Sequence, residues 1–490
     1  MGRRSAGGRV LIASNRGPVS FTFDDDGQLS IRRGGGGMVS GLASVANQAD
    51  VLWVCAALGH ADRAAARRAP GGRLGLDGAT GGAGVQMLEI PEGTFERAYN
   101  SVANSTLWFV QHMLYDTPNQ PHFGFAFRRE WKSFRAYNRA FAEALAANAG
   151  PQDAGAPLRA AIQDYHLSLV PRMLAELRPD IRISHFTHTP WAPPEYYRML
   201  PEAMGREVLA GILGADHAGF LCQRWAGAFL DCCAEILGAA VDRERKQVTY
   251  EGHVTGIGVH PLGVQADELI ARAAEPDVQA RVDALAEAAG SRRLVVRVDR
   301  TELSKNIVRG LAAYRELLVT HPEWRGRIMH VAFAYPSRHD LPEYREYTAT
   351  VQRVARQIVD EFGTDEWNPL ILEVNDDYAR SLAAYRLADV LLVNPIRDGM
   401  NLVAKEGPIL SDRGCALVLS TEAGAAAELG REALLVNPYD VTDTAEALHK
   451  ALTMAEPERR RRAAALAQAA SALPPARWFA DQLAALDRPG

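Results

Sequence analysis

A chain of 490 residues is too long for one hydrophobic core, so its length predicts two or three domains. With 47% hydrophobic and 23% charged residues it reads as an ordinary globular protein, and a net charge of −5 provides no general field for nucleic acid or an anionic membrane. No apolar run reaches spanning length, the opening MGRRSAGG does not resemble a signal peptide, and the five cysteines lack metal-type spacing, which together predict a cytoplasmic protein with reduced thiols.

In chain order, the first predicted strand is Val10–Ser14, followed by a loop with Arg16 in SNRGP. The three aspartates Asp24–Asp26 invite a metal-site reading, but Asp-Gly between alternating segments is a hairpin signal, and the hairpin is preferred. The glycine run Gly34–Gly37 then enters a helix; its spacing matches no dinucleotide fingerprint. VLWVCAAL is a strand, the region to about 160 is helix-rich, and ISHFTHTP and AGFLCQ are strands. GHVTGIGVHPLGV closes this half, with a linker expected around 255–264. The second half opens on a helical segment, Ala266–Ala289. Six β-rich runs follow (RRLVVRVD, RIMHVAFAY, LILEVN, VLLVNP, CALVLS and ALLVNP), separated by helical stretches. That alternation predicts βαβ units and a doubly wound parallel sheet. ERRRRAAALAQAA reads as a solvated helix face and ARWFADQLAALD as a final amphipathic helix. Two α/β domains facing each other would place ligands at the carboxyl ends of their strands.

The stretch NPIRDGMNLVAKEG, residues 394–407, carries the most chemistry. A buried run ends at Asn394-Pro395, Gly399 allows close backbone approach, and Met400-Asn401-Leu402-Val403 start a helix whose N–H groups suit an anion. Asp398 could fix sugar hydroxyls beside that anion, and Glu406 could accept hydrogen bonds from a ribose; the alternative is a cap and a solvated helix residue. Arg300 and Lys305 follow another strand and could reach one diphosphate, neutralising a departing nucleotide. Only five residues are lysine, so Lys305 and Lys405 invite a reason for their retention. The first half supplies Arg16, Asp164 in QDYHLSLVP and His188 in HFTHTPWAPP.

With NSTLWF, DYHL, H-x-P, R-x-x-x-S-K, RDGMNLVAKE and Trp478 in this order, nearly the whole chain resembles the retaining glycosyltransferases of the trehalose-6-phosphate synthase type (GT20). The resemblance implies the GT-B fold, two facing Rossmann-like domains with the active site in the cleft. Residues 1–264 would be the acceptor domain, with the tail 473–490 packed back on it, and 265–472 the nucleotide-donor domain. It implies that Arg300 and Lys305 bind the donor diphosphate with the Leu402 and Val403 N–H groups. Gly37 would approach the phosphates, and Glu406 would hold the ribose. Asp398, with the Met400 and Asn401 backbone, would hold the donor ring, which His188 would also touch. Arg16 and Arg338 would clamp the acceptor phosphate near Tyr99, with Asp164 and Trp108 lining the acceptor side. Asp164, His188, Arg300, Lys305 and Asp398 would thus be catalytic. No cofactor or metal is implied; the partners are small molecules, with a homodimer possible.

Departures from the family pattern fall on the sugar side. Ala56 stands where the family usually has an acceptor-lining tryptophan, Gln163 and Asn375 where it has histidines, and Leu221-Cys222 where it has Gln-Thr; RTELSK replaces RLDYSK. Changed polar contacts around similar polyols imply a changed substrate. The pattern is most similar to the pseudo-glycosyltransferase branch, which couples GDP-valienol to validamine 7-phosphate through a C–N bond. Ordinary synthesis of trehalose 6-phosphate from UDP- or GDP-glucose and glucose 6-phosphate is the alternative, and a non-catalytic sugar-phosphate sensor is another.

Overall fold

The computed structural model describes residues 9–33, 50–74, 82–150, 158–338 and 340–487. The chain divides into two units, Met1–Leu262 with Pro475–Gly490, and Gly263–Pro474. The predicted helix entry at Gly34–Gly37, and with it Gly37, lies outside the described residues.

The first unit is built on β1 (Val10–Ser14), β4 (Val51–Ala56), β5 (Arg73–Leu74), β6 (Gly84–Leu88), β7 (Arg159–Gln163), β8 (Arg182–Thr187), β9 (His217–Phe220), β10 (Ala240–Asp242), β11 (Gln247–Tyr250) and β12 (His253–Val259). Their order is β10-β11-β12-β9-β8-β7-β1-β4-β6-β5. From β12 to β6 every pairing is parallel, and antiparallel strands close both edges. β1 and β4 are buried at every position, which is why they read as continuous apolar runs rather than alternating ones. The chain runs outward from β1 to β4 and β6, then returns to β7 on the other side of β1. The order therefore reverses at β1/β7, where such sheets bind ligands.

Strands β2 (Val19–Phe23) and β3 (Leu29–Arg33) form the expected hairpin. Asp24 Oδ1 accepts the N–H groups of Asp26 and Gln28, and Gly27 takes a left-handed φ of 71°, so this aspartate serves the turn. The linker expected at 255–264 is corrected in its first half: 255–259 belong to β12, parallel to β9, with Gly256 and Gly258 passing close to His217. Residues 260–264 lie outside any strand or helix and include the division between the units at Leu262 and Gly263. The helix-rich region before 160 also contains β5 and β6, and β7 begins at its end. These strands are short, and their polar and small residues conceal a strand periodicity. The helix Pro475–Ala485 belongs to this unit, with Trp478 edge-on to Phe186 of β8 at 4.9 Å.

The second unit has six parallel strands: β13 (Arg293–Arg300), β14 (Ile328–Tyr335), β15 (Leu370–Glu373), β16 (Val390–Val393), β17 (Ala416–Ser420) and β18 (Leu434–Val436). Their order is β15-β14-β13-β16-β17-β18, reversing at β13/β16. Val295, Leu392 and Val418 of this sheet pack with Leu311, Leu317 and Leu448 of its helices. The segment Ala266–Ala289 is two helices, Ala266–Ala273 and Pro276–Ala289. Glu275 precedes Pro276 and is pushed to extended geometry, φ −70° and ψ 152°, which interrupts the helical run. Of the four consecutive arginines, Arg460, Arg461 and Arg462 pair with glutamates on or near the helix surface, whereas Arg459 reaches the buried Asp389 at 2.9 Å.

Candidate functional site

In the second unit, the carboxyl ends of β13 and β16 bring three predicted residues together. Arg300 ends β13, Lys305 closes the single turn Leu303–Lys305 after it, and Asp398 lies in the loop after β16. Lys305 Nζ is 2.5 Å from Asp398 Oδ2, both side chains about one-seventh exposed at 14% and 15%. Burial disfavours the Lys305 cation, but Asp398, Glu302 and Asp299 outweigh it and raise its pKa. Arg300 is paired with Glu302 at 3.0 Å and is itself 56% exposed, so its guanidinium is reachable.

Glu302, inside RTELSK, is the residue whose role sequence reasoning missed. Its side chain is fully buried, Ser337 Oγ donates to it at 2.8 Å, and Arg338 lies close enough to act on its charge. Burial pushes the carboxyl up, but Arg300, Arg338 and Lys305 outweigh it and hold the pKa at about 2. A carboxylate two residues after an arginine and three before a lysine was the available signal. Arg338, with φ 48°, donates to Tyr344 Oη at 2.7 Å in the loop after β14.

The loop holding Asp398 is fixed by its backbone. Asp398 N–H donates to Glu422 O, Gly424 N–H to Asp398 O and Ala425 N–H to Met400 O, at 3.2, 3.1 and 2.8 Å. A Cβ on Gly424 would collide with Gly399 O, so this approach requires glycine. Met400 is buried. The predicted helix start at Met400 is corrected: Asn401 is left-handed at φ 76° and caps the helix through its side chain, accepting Ala404 N–H at 3.2 Å. The helix proper is Val403–Leu410, so the Leu402 and Val403 N–H groups stand at its start, where no preceding turn accepts them. Glu406, one turn on, is partly buried; burial raises its carboxyl to about 7 despite a hydrogen bond from Tyr385. Tyr385 sits on the helix Tyr378–Leu387, and no spacing in the sequence pairs it with Glu406. Lys405 is a structural residue, fully buried and 2.6 Å from Glu428.

In the first unit, Arg16 is exposed just beyond β1, in a loop tied down by Trp53 Nε1 on Ser14 Oγ and Tyr137 Oη on Asn15 Oδ1. Asp164 follows β7 with φ 74° and ψ 167°, a region almost reserved for glycine and costly for any side chain. It accepts the His188 N–H at 3.2 Å, which ties the ends of β7 and β8. His188 Nε2 is 3.0 Å from Gln163 Oε1, and burial followed by neighbouring His185 lowers the His188 pKa to about 3. It is therefore a neutral imidazole over the physiological range. Tyr99 lies in an eleven-residue π-helical stretch, Arg97–Leu107, and stacks on His166 at 5.6 Å. Trp108, the next residue, packs on His112 and tilts against Tyr165 at 5.8 Å, so both aromatics meet the DYHL segment. Ala56 ends β4 and is buried, as are Leu221 and Cys222 after β9.

One further group of potential metal ligands stands out among the described residues: His321, Glu323 and His449. The imidazoles are stacked at 3.7 Å and 13°, so their in-plane lone pairs run alongside each other rather than towards one point. His321 faces Glu446 at 2.9 Å and Glu323 at 3.4 Å, and the Glu446 hydrogen bond raises its pKa; Trp324 Nε1 donates to His449 Nδ1 at 3.1 Å. This is a hydrogen-bonded carboxylate–imidazole network. Among the described residues no helix is long and apolar enough to cross a membrane.

Two Rossmann-like α/β units, each with charged and polar side chains at its switch point, define the GT-B class of fold. The chain belongs to glycosyltransferase family 20, whose model matches residues 8–488. It is 32% identical over 467 residues to probable alpha,alpha-trehalose-phosphate synthase [UDP-forming] 2 of Arabidopsis thaliana. It is 33% identical over 487 residues to the bifunctional trehalose-6-phosphate synthase/phosphatase of Thermoproteus tenax. These alignments cover 93% and 96% of this chain but only 54% and 62% of those proteins, so the chain spans little more than half the length of either relative. Its structure resembles that of the trehalose-6-phosphate protein from E. coli bound with UDP-2-fluoro glucose, with a TM-score of 0.85, 28% identity and coverage of 98% of this chain and 99% of that one.

Proposed function

We propose that the chain transfers a ring from a nucleoside diphosphate to a phosphorylated acceptor with retention, making trehalose 6-phosphate from UDP- or GDP-glucose and glucose 6-phosphate. The observation that carries this reading is the grouping of Arg300, Lys305 and Asp398 at the β13/β16 switch, beside the helix start at Leu402–Val403. The names of its relatives support the same reaction.

The diphosphate lies against Arg300, Lys305 and the Leu402 and Val403 N–H groups, whose charges and dipoles stabilise it as it leaves. Asp398 accepts the ring hydroxyls, with the Met400 and Asn401 backbone beside it, and the Glu406 carboxylate accepts the ribose hydroxyls. His188 contacts the ring as a neutral imidazole. Arg16 of the first unit and Arg338 of the second are the cations assigned to the acceptor phosphate; Tyr99, Trp108 and Asp164 line the acceptor side. The bond from the anomeric carbon to the phosphate oxygen breaks, the acceptor oxygen forms its bond on the same face, and its proton passes to the leaving phosphate. The scheme requires no metal or cofactor, because protein cations and amides carry the leaving-group charge.

A second reading is favoured by the small Ala56 at the end of β4 and by Gln163 hydrogen-bonded to His188. Both change the sugar side and spare the phosphate contacts, which suits C–N coupling of GDP-valienol to the neutral amine of validamine 7-phosphate. The unsaturated ring would react through an allylic cation, and the amine proton would pass to the leaving phosphate.

The test is turnover by mass spectrometry with two mixtures, UDP- or GDP-glucose with glucose 6-phosphate, and GDP-valienol with validamine 7-phosphate. Product in the first supports trehalose 6-phosphate synthesis. Product only in the second overturns it in favour of C–N coupling. Turnover in neither favours the sugar-phosphate sensor.

A further inference from the structure

We propose that Arg297 is a positioning residue for Lys305: its buried guanidinium holds the carbonyl of Lys305 itself and so sets where the ammonium stands against the donor diphosphate. The inference rests on the donor reading above and adds to it a residue beneath the site that acts through Lys305.

Arg297 is out of place in its own strand. β13 contains the run Leu294-Val295-Val296-Arg297-Val298, and a parallel strand covered on both faces is ordinarily apolar throughout. The Arg297 side chain is nevertheless fully buried, paired at 2.8 Å with Asp299, whose side chain is 7% exposed. Standing two residues apart on one strand, they share a face of the sheet. Stability does not explain the pair, because apolar side chains of similar volume fill such a space equally well or better.

What the guanidinium does is hold the turn that follows the strand. Arg297 Nη2 donates to Lys305 O at 3.1 Å and Nη1 to Ile307 O at 3.5 Å, on either side of Asn306, which is left-handed at φ 57°. Neighbouring anchors grip other residues. Ile396 N–H donates to Ser304 O at 2.8 Å, and Asn306 Nδ2 donates to Asn394 O and Pro438 O at 3.0 and 2.7 Å. Among these anchors it is Arg297 that takes the Lys305 carbonyl. Gly310, buried on the helix Ile307–Thr320, makes room for the guanidinium, since a Cβ there would collide with Nη1. Strand, turn and helix thus meet on one cation, whose planar fork fixes the directions of its hydrogen bonds. Lys305 carries its charge at the end of a flexible stem, so the place of its main chain decides which oxygens that charge reaches.

Calorimetric titration of UDP and GDP into a variant carrying Arg297→Met with Asp299→Asn tests this. The paired change leaves the net charge of the site as it was and no carboxylate without its cation, so a loss reports position rather than charge. The variant should fold, with urea unfolding close to the wild type's. It should bind UDP or GDP about tenfold more weakly, the effect of one misplaced hydrogen bond to a charged group. Lys305→Ala alone should lose about as much. Added to Lys305→Ala, the paired change should weaken binding no further; added to Arg300→Ala, it should again weaken it about tenfold. Unchanged nucleotide binding in the folded variant would overturn the inference. So would an equal further loss in the Lys305→Ala background, which would show a general loosening of the site. If the paired variant does not fold, Gly310→Ala, which displaces the guanidinium and keeps both charges, takes its place with the same expected pattern. Failure of both to fold would make Arg297 a purely structural residue and overturn the inference. A wild type that binds neither nucleotide overturns the donor reading, whereas one that binds them while Lys305→Ala is unaffected overturns only the role of Lys305. In either case this inference falls with it.

Discussion

Asp164 keeps a backbone conformation that only glycine adopts at low cost, on the strand end where its carboxylate also holds the His188 N–H. Strain of this kind persists where the surrounding structure enforces it. Replacing Asp164 by Gly should therefore leave the protein about 1–2 kcal/mol more stable than replacing it by Ala, while both variants lose turnover. Urea unfolding of the pair checks this, and equal stabilities would mean the conformation costs nothing. Glu406 makes a separate prediction about pH. Its folded pKa of about 7 lies above its ordinary 4.5, so between these values the folded protein keeps a proton that the unfolded chain has lost. This contribution to stability is fully present below about 4.5 and is lost as pH rises to 7. Ribose hydroxyls require the ionised form, so UDP or GDP affinity should rise with pH through about 7. In Glu406→Gln that rise should disappear; isothermal titrations at several pH values measure it.

At the scale of elements, the helix Val403–Leu410 is held at one end by the Asn401 cap and along its length by Lys405. Lys405 is fully buried against Glu428, so Lys405→Ala leaves a carboxylate without its cation and should cost about 3–5 kcal/mol in chemical denaturation. Lys405→Met with Glu428→Gln should recover most of that loss. Gly424 plays a different part, since a side chain there displaces Gly399 and with it the Asp398 loop. Gly424→Ala is expected to fold yet lose on the order of a hundredfold in turnover, because displacement of a positioning group by about 1 Å has that effect. Unimpaired turnover would mean that the position of the Asp398 loop is not critical.

For the whole molecule, the first unit is discontinuous: it ends with a helix that the chain reaches only after completing the second. Trp478, 1% exposed, packs against Phe186 and His188 and so supports the strand end that carries a candidate site residue. Trp478→Ala should cost about 3–5 kcal/mol. Hydrogen exchange should show the loss of protection in β7 and β8, with β13 and β16 unchanged. Equal loss in both units would show that they unfold as one.

The sequence by itself determined the alternation of apolar strands and helices, and hence the parallel sheets, because strands buried on both faces must be apolar throughout. It also determined where the candidate residues of the second unit lie: Arg300, Lys305, Asp398 and Glu406 fall in two short stretches, and adjacency along the chain is enough to place each stretch at or just beyond a strand end. The limits of β12, the break before Pro276 and the helix start at Val403 were less legible, because boundaries depend on caps and on neighbouring strands. Only the tertiary structure decided which partners those side chains have. The pairing of Lys305 with Asp398, separated by 93 positions, arises because the order of strands reverses between β13 and β16 and sets their two loops side by side. The raised pKa of Glu406, the low pKa of Glu302 and the neutrality of His188 follow from burial and from charges brought in by other segments. Residue identity supplies a group that can ionise, and the surrounding fold sets the energy of each of its charge states.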